Sequence, residues 1–211
     1  MTAPVNTPQT VPYATLLSFT RYIGRTGPRK ATFVGGLRRQ RESGHGFNPH
    51  GQLVKALKAD IRFRTGGTYL NTVVEQVSAR WKPLYEALVP GALQYLESLA
   101  MPVEVAPTRD ALCMIGALPV KINPHFGLRY PDGHGEAVRL HFDEDPPLDL
   151  AAVATLHLMG RHMDQVLPNA TPVMVDVRRG EVLRPDPSVK ADEVERWLAG
   201  EAAAFAAMWA A

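Results

Sequence analysis

The sequence predicts an α/β (α+β) protein, with a mostly helical N-terminal part followed by a mixed sheet flanked by helices. Three observations carry that expectation. Residues 123–145, NPHFGLRYPDGHGEAVRLHFDED, form two extended runs around a turn; the stretch before them is largely helical in its apolar spacing; and helix, strand and helix patterns follow. In the second run Val138, Leu140 and Phe142 alternate with Arg139, His141 and Asp143, and period-2 alternation puts the two sets on opposite faces of a strand. In the first run Ile122, Pro124, Phe126 and Leu128 alternate in the same way with Asn123, His125, Gly127 and Arg129. Asp132-Gly133 between them supplies residues that tolerate positive φ, as a hairpin turn requires.

The other elements follow in order. Leu16, Leu17, Phe19, Tyr22 and Ile23 make a helical stripe over Tyr13 to Ile23, ended by Gly24 and Gly27-Pro28. Lys30 to Glu42 reads as a broken helix or a loop, because Gly35-Gly36 weakens a helix by about 1 kcal/mol per glycine. Asn48 is an expected N-cap with Pro49 at the first helical position, leading a helix with Leu53, Val54, Leu57 and Ile61 on its apolar side. His45 and His50, in the Gly-rich loop before it, read as surface residues. Tyr69 to Lys82 and Pro83 to Ala100 are expected as two helices, the second broken near Pro90, which lacks a backbone donor. Pro102 to Ala106 reads as a short strand and Leu112 to Asn123 as one longer strand. A broad helix over Leu148 to Val166, a buried strand over Pro172 to Val177 and an Ala-rich helix over Val189 to Trp209 complete the chain. Asp176, inside the apolar strand, needs a partner, and Arg178 or a hairpin contact is the expected one.

A chain of 211 residues suits one packed unit. Within it we distinguish an arm (residues 1–12), a basic helical part (13–82) and an α/β core (83–211) packed with it. No apolar run approaches the roughly 18 residues of a membrane span, and the N-terminus lacks the basic start and apolar core of a secretory signal. The expectation is a cytoplasmic protein with no membrane partner. The one cysteine, Cys113, excludes an internal disulfide framework and sits in an apolar run that marks it as a core residue. Charge is lopsided: residues 1–100 hold 13 Lys+Arg against 5 Asp+Glu, the remainder 10 against 16. Such asymmetry suits an anionic partner for the first half, charge complementarity between the halves, or a solvated helical surface.

From about Pro83 the order helix, three strands, helix, strand and closing helix, with Asn123-Pro124-His125 near the bend of the second strand and Arg139-Leu140-His141 on the third, resembles the core of the restriction-endonuclease-like PD-(D/E)XK superfamily. The resemblance covers roughly the C-terminal 130 residues. It implies a metal-dependent nuclease site, with an Asp after the Pro and a carboxylate two residues before a Lys. Carboxylate oxygens would hold a hard divalent cation that activates water there. This chain instead has His125, Arg139 and His141 at the corresponding positions. The implied protein is a degenerate member without the usual carboxylates and Lys, a pseudoenzyme with no catalytic residues, no metal and no other cofactor.

Function is then expected to lie in binding. Arg38, Arg39, Arg41, Lys55, Lys58, Arg62 and Arg64 are the candidate nucleic-acid contacts, with Phe33, Phe47 or Phe63 available to stack on bases. His125, Arg139 and His141 are the candidate phosphate pocket. The expected role is DNA or RNA binding, or that of an accessory subunit in a DNA-handling or defence assembly. One alternative is a divergent nuclease that uses Asp143, Asp145 and His141 with a divalent metal. Another is a protein-interaction module whose basic half docks an acidic partner, or a homo-oligomer. No pair among the seven histidines has the i, i+4 spacing of a helical zinc site. Nucleotide-binding glycine motifs and a nucleophile elbow are not found.

Overall fold

The structure, a computed structural model, describes residues 11–44 and 48–211. Most of the arm expected over residues 1–12, together with His45 and Phe47, lies outside the described residues. The elements are β1 (Ala14–Thr15), α1 (Leu16–Ile23), α2 (Pro28–Ser43), α3 (Gly51–Phe63), α4 (Thr68–Gln76), α5 (Lys82–Ser98), β2 (Glu104–Ala106), β3 (Ala111–Ile115), β4 (Leu118–Ile122), β5 (Phe126–Arg129), β6 (Gly135–His141), α6 (Asp149–Gly160), α7 (Met163–Val166), β7 (Ala170–Asp176), β8 (Glu181–Leu183) and α8 (Ala191–Ala210). This is the α+β arrangement the patterning predicts, a mixed sheet flanked by helices.

The main sheet has five strands in the order β2-β5-β6-β7-β8, and a smaller one runs β1-β4-β3. The predicted hairpin is β5 and β6, antiparallel, with Phe126 opposite Val138. β6 and β7 are parallel, and α6 and α7 lie in the crossover between them. On one face Val138 and Leu140 join Val173 and Val175 in a core closed by α3, α4 and α5. Ala137 belongs to the opposite core, with residues of α1, α6, α7 and α8. A parallel pair joined by a helical crossover is covered on both sides. That corrects the expectation of a polar face on β6, where even Arg139 is only 6% exposed.

Other differences have identifiable causes. Leu112 to Asn123 is two strands, β3 and β4, because Gly116 takes a positive φ and turns the chain back. The helix expected from Tyr13 begins at Leu16; Ala14 and Thr15 pair parallel with β4, and Thr15 closes a capping box with Ser18. The expected helix over Tyr69 to Lys82 stops at Gln76, and the one over Leu148 to Val166 divides into α6 and α7. α2 runs unbroken through Gly35-Gly36, its Val34, Phe33 and Leu37 packed into the core beside α8. α5 runs unbroken through Pro90. An interior proline costs about 3 kcal/mol, and the burial of Tyr85, Leu88, Val89, Ala92, Tyr95 and Leu96 offsets it. Gly91 lets α5 meet the backbone after β7, since a Cβ there would stand 2.2 Å from the Val177 carbonyl oxygen.

Candidate functional site

At the carboxyl end of β6, the start of β5, α1 and the chain leading into α3 enclose a cavity of about 440 Å³. In sheets with parallel strands the crevice at the strands' carboxyl ends is where ligands are commonly received. The three residues of the expected phosphate pocket, His125, Arg139 and His141, all line it. Antiparallel pairing of β5 with β6 brings them together: His125 donates its backbone N–H to the Val138 carbonyl at 2.8 Å, and its Nδ1 accepts from Leu140 N–H at 2.9 Å.

Arg139 is the distinctive group. Its guanidinium donates through Nη1 to the Asn123 carbonyl at 2.7 Å, and it has no carboxylate partner among the described residues. Burial, then the nearby charge of Arg21, lower its pKa to about 10, so it remains a cation at neutral pH. A cation so placed without an anion is costly.

His125 contributes direction rather than charge. A backbone N–H can only donate, so His125 Nδ1 is unprotonated and the remaining proton sits on Nε2. Burial, then the Arg139 charge, hold this imidazole well below its ordinary pKa. The expected cationic pocket therefore takes its charge from Arg139 and not from His125. His141 Nε2 lies 2.9 Å from the Asp145 carbonyl oxygen. A carbonyl only accepts, so Nε2 carries a proton, and in the neutral ring Nδ1 is the nitrogen left to accept.

Two further residues complete the site. Arg21, in the last turn of α1, clasps Asp143 through both Nε and Nη2. Burial tends to raise the Asp143 carboxyl, but the Arg21 hydrogen bonds and charge bring it below its ordinary pKa. His50 is not a surface residue: its ring stacks on Phe142 with centroids 4.2 Å apart, and burial lowers its pKa to about 4. It caps α3, which starts at Gly51, while Asn48 accepts the His50 N–H at 3.0 Å instead of capping the helix itself. Arg21 and His50 lie about 120 and 90 residues before β6, and only the tertiary fold shows that they meet it.

The alternative trio of Asp143, Asp145 and His141 does not converge. Asp143 is engaged by Arg21, Asp145 is exposed, and His141 turns its Nε2 to a backbone oxygen. Among the described residues no three His, Cys, Asp or Glu side chains are grouped to hold a metal ion. Imidazoles and guanidinium groups around one clasped carboxylate do not fit the oxygen-rich shell of a hard divalent cation.

The basic residues separate into two groups. On α2, Arg38 donates to the Trp209 carbonyl at 3.0 Å and pairs with Glu42, and Arg41 donates to the Tyr13 carbonyl and lies over the Tyr13 and Trp209 rings. These two fasten α8 and the start of β1 to α2, while Arg39 is exposed. On α3, Lys55, Lys58 and Arg62 line a groove of about 410 Å³ with Phe63 and the edge strand β2. Arg64, in the left-handed region at φ 53°, ends that helix. Phe63 is 59% exposed and Phe33 packs against the core under Arg25. Asp176 finds its partner one residue beyond the expected Arg178: Arg179 reaches it at 2.7 Å, and Arg178 contributes its backbone N–H.

Comparison with models of known protein families returns no match, and no curated protein matches the chain. No helix among the described residues is long and apolar enough to cross a membrane.

Proposed function

We propose that this protein binds nucleic acid without cutting it, seating a backbone phosphate in the cavity against Arg139. The observation that carries the reading is the buried guanidinium without a counter-ion at the wall of an open cavity. A phosphate oxygen there supplies the missing anion and makes a charge-assisted hydrogen bond of the strong kind. Lys55, Lys58 and Arg62, at i, i+3 and i+7 on one side of α3, supply further phosphate contacts, and exposed Phe63 beside them offers a stacking surface. The Asp143 carboxylate, clasped by Arg21, supports a site without metal chemistry.

The test is fluorescence anisotropy with short single-stranded oligonucleotides, repeated with Arg139→Gln and across a salt series. The expected result is binding that weakens steeply with salt, falls at least tenfold in Arg139→Gln, and leaves the oligonucleotide intact with magnesium or manganese present. Strand scission would overturn the reading in favour of a nuclease. No binding at low salt would overturn it in favour of a protein-interaction module.

A further inference from the structure

We propose that the cavity reads the 2′-hydroxyl of the sugar, so that the strand it holds is RNA. The inference rests on the phosphate reading above and adds the second half of the ligand. The pocket offers three groups of different kinds. Arg139 is the cation; His125, with Nδ1 taken by Leu140 N–H, presents Nε2–H as a neutral donor; His141, with Nε2 turned to the Asp145 carbonyl, keeps Nδ1 as an acceptor. Both imidazole side chains line the cavity.

A phosphodiester supplies oxygens for the first two groups and nothing for the third, because at neutral pH it has no proton to donate. The ligand that fills all three carries a hydroxyl next to its phosphate. Arg139 and His141 are alternate residues of β6 and project from the same side of the strand, with their Cα atoms about 6.5–7 Å apart. That spacing suits one group on a phosphate oxygen and the other on the hydroxyl of the adjoining ribose. DNA lacks this donor at every residue, whereas RNA repeats it at every residue, and the hydroxyl is how a site tells the two apart. Fixed rings strengthen the discrimination. Each imidazole is locked in one tautomer by a backbone partner, so an unfilled His141 Nδ1 in a DNA complex loses its water and gains nothing in return.

The experiment is an anisotropy comparison of three strands of one sequence: RNA, DNA, and RNA with 2′-fluoro in place of 2′-hydroxyl. The fluoro strand keeps the RNA sugar pucker without the donor. On the wild-type protein RNA binds about tenfold more tightly than DNA, the effect of one well-placed hydrogen bond, and the fluoro strand binds like DNA. His141→Phe abolishes the preference, so that RNA and DNA bind with equal affinity. Equal affinity for RNA and DNA, both weakened by Arg139→Gln, would overturn the hydroxyl reading and leave phosphate binding intact. A fluoro strand that binds as well as RNA would also overturn it, since shape alone would then account for the preference. Failure of all three strands to bind would remove the phosphate reading itself.

Discussion

Glu136 and Arg139 lie on the same strand, β6, and both are buried, at 3% and 6% exposure, yet their surroundings differ in kind. Glu136 is satisfied: Arg184 Nη1 donates to one oxygen at 2.5 Å and the Tyr130 hydroxyl to the other at 3.1 Å. Asp60 and Asp176 are equally well supplied. Asp60 accepts the backbone N–H of Tyr69 and of Leu70, two of the unpaired donors at the start of α4. Arg139 has a single carbonyl. The buried carboxylates are parts of the fold, and the buried guanidinium is the group whose partner the fold does not provide.

That contrast predicts opposite responses to removal. Glu136→Ala leaves the Tyr130 hydroxyl and the Arg184 charge without their acceptor, and chemical unfolding should show a loss of about 2–3 kcal/mol. Arg139→Met removes a cation that nothing neutralises and keeps most of its volume. Its stability should rise by about 1–2 kcal/mol while oligonucleotide binding is lost. A large destabilisation in Arg139→Met would break the comparison, because Arg139 would then be as structural as Glu136.

The same contrast explains what could be read from the chain alone. The β5–β6 hairpin was legible because its pattern is local: period-2 alternation on both sides of Asp132-Gly133. His125, Arg139 and His141 could be grouped for that reason, since antiparallel pairing across one turn fixes which residues meet. The need of Asp176 for a partner was legible from its apolar neighbours, although the partner proved to be Arg179. Arg21 and His50 were not legible, because nothing in their own segments encodes the approach to β6. Pro90 misled for a related reason: the local cost of an interior proline is real, and the packing that outweighs it comes from the sheet beneath α5. The seven candidate cations from Arg38 to Arg64 read as one set of contacts, whereas Arg38 and Arg41 hold α8 and the start of β1 and the α3 cations face a groove.

The pocket's histidines give the comparison a pH axis. His50 stays neutral in the folded protein down to about pH 4, while in the unfolded chain it takes a proton near 6.5. Between those values the unfolded state binds more protons, so stability falls as pH drops from about 6.5 towards 4. Solvent around the ring limits this to about 1 kcal/mol. His125, also held well below its ordinary pKa by burial, acts in the same direction. His50→Phe, which keeps the stack on Phe142, should flatten part of this slope in thermal unfolding followed from pH 7 to pH 4. An unchanged slope would mean that other groups carry the acid sensitivity.

The smallest effect on stability, and a clear one on binding, is expected from α3. Lys55, Lys58 and Arg62 make no ion pair among the described residues, so replacing all three with Ala should shift unfolding by less than about 0.5 kcal/mol. If the groove guides a single strand, each lost phosphate contact takes about 0.7 from the slope of log K against log salt concentration. The triple variant should thus lower the slope by about 2 and keep the Arg139-dependent part of binding. If the slope stays unchanged while Arg139→Gln still abolishes binding, the phosphate contact is confined to the cavity and the α3 surface is only a solvated face. If instead the triple variant removes binding altogether and Arg139→Gln does not, the roles assigned to the two regions are reversed. The buried guanidinium would then need a different anion.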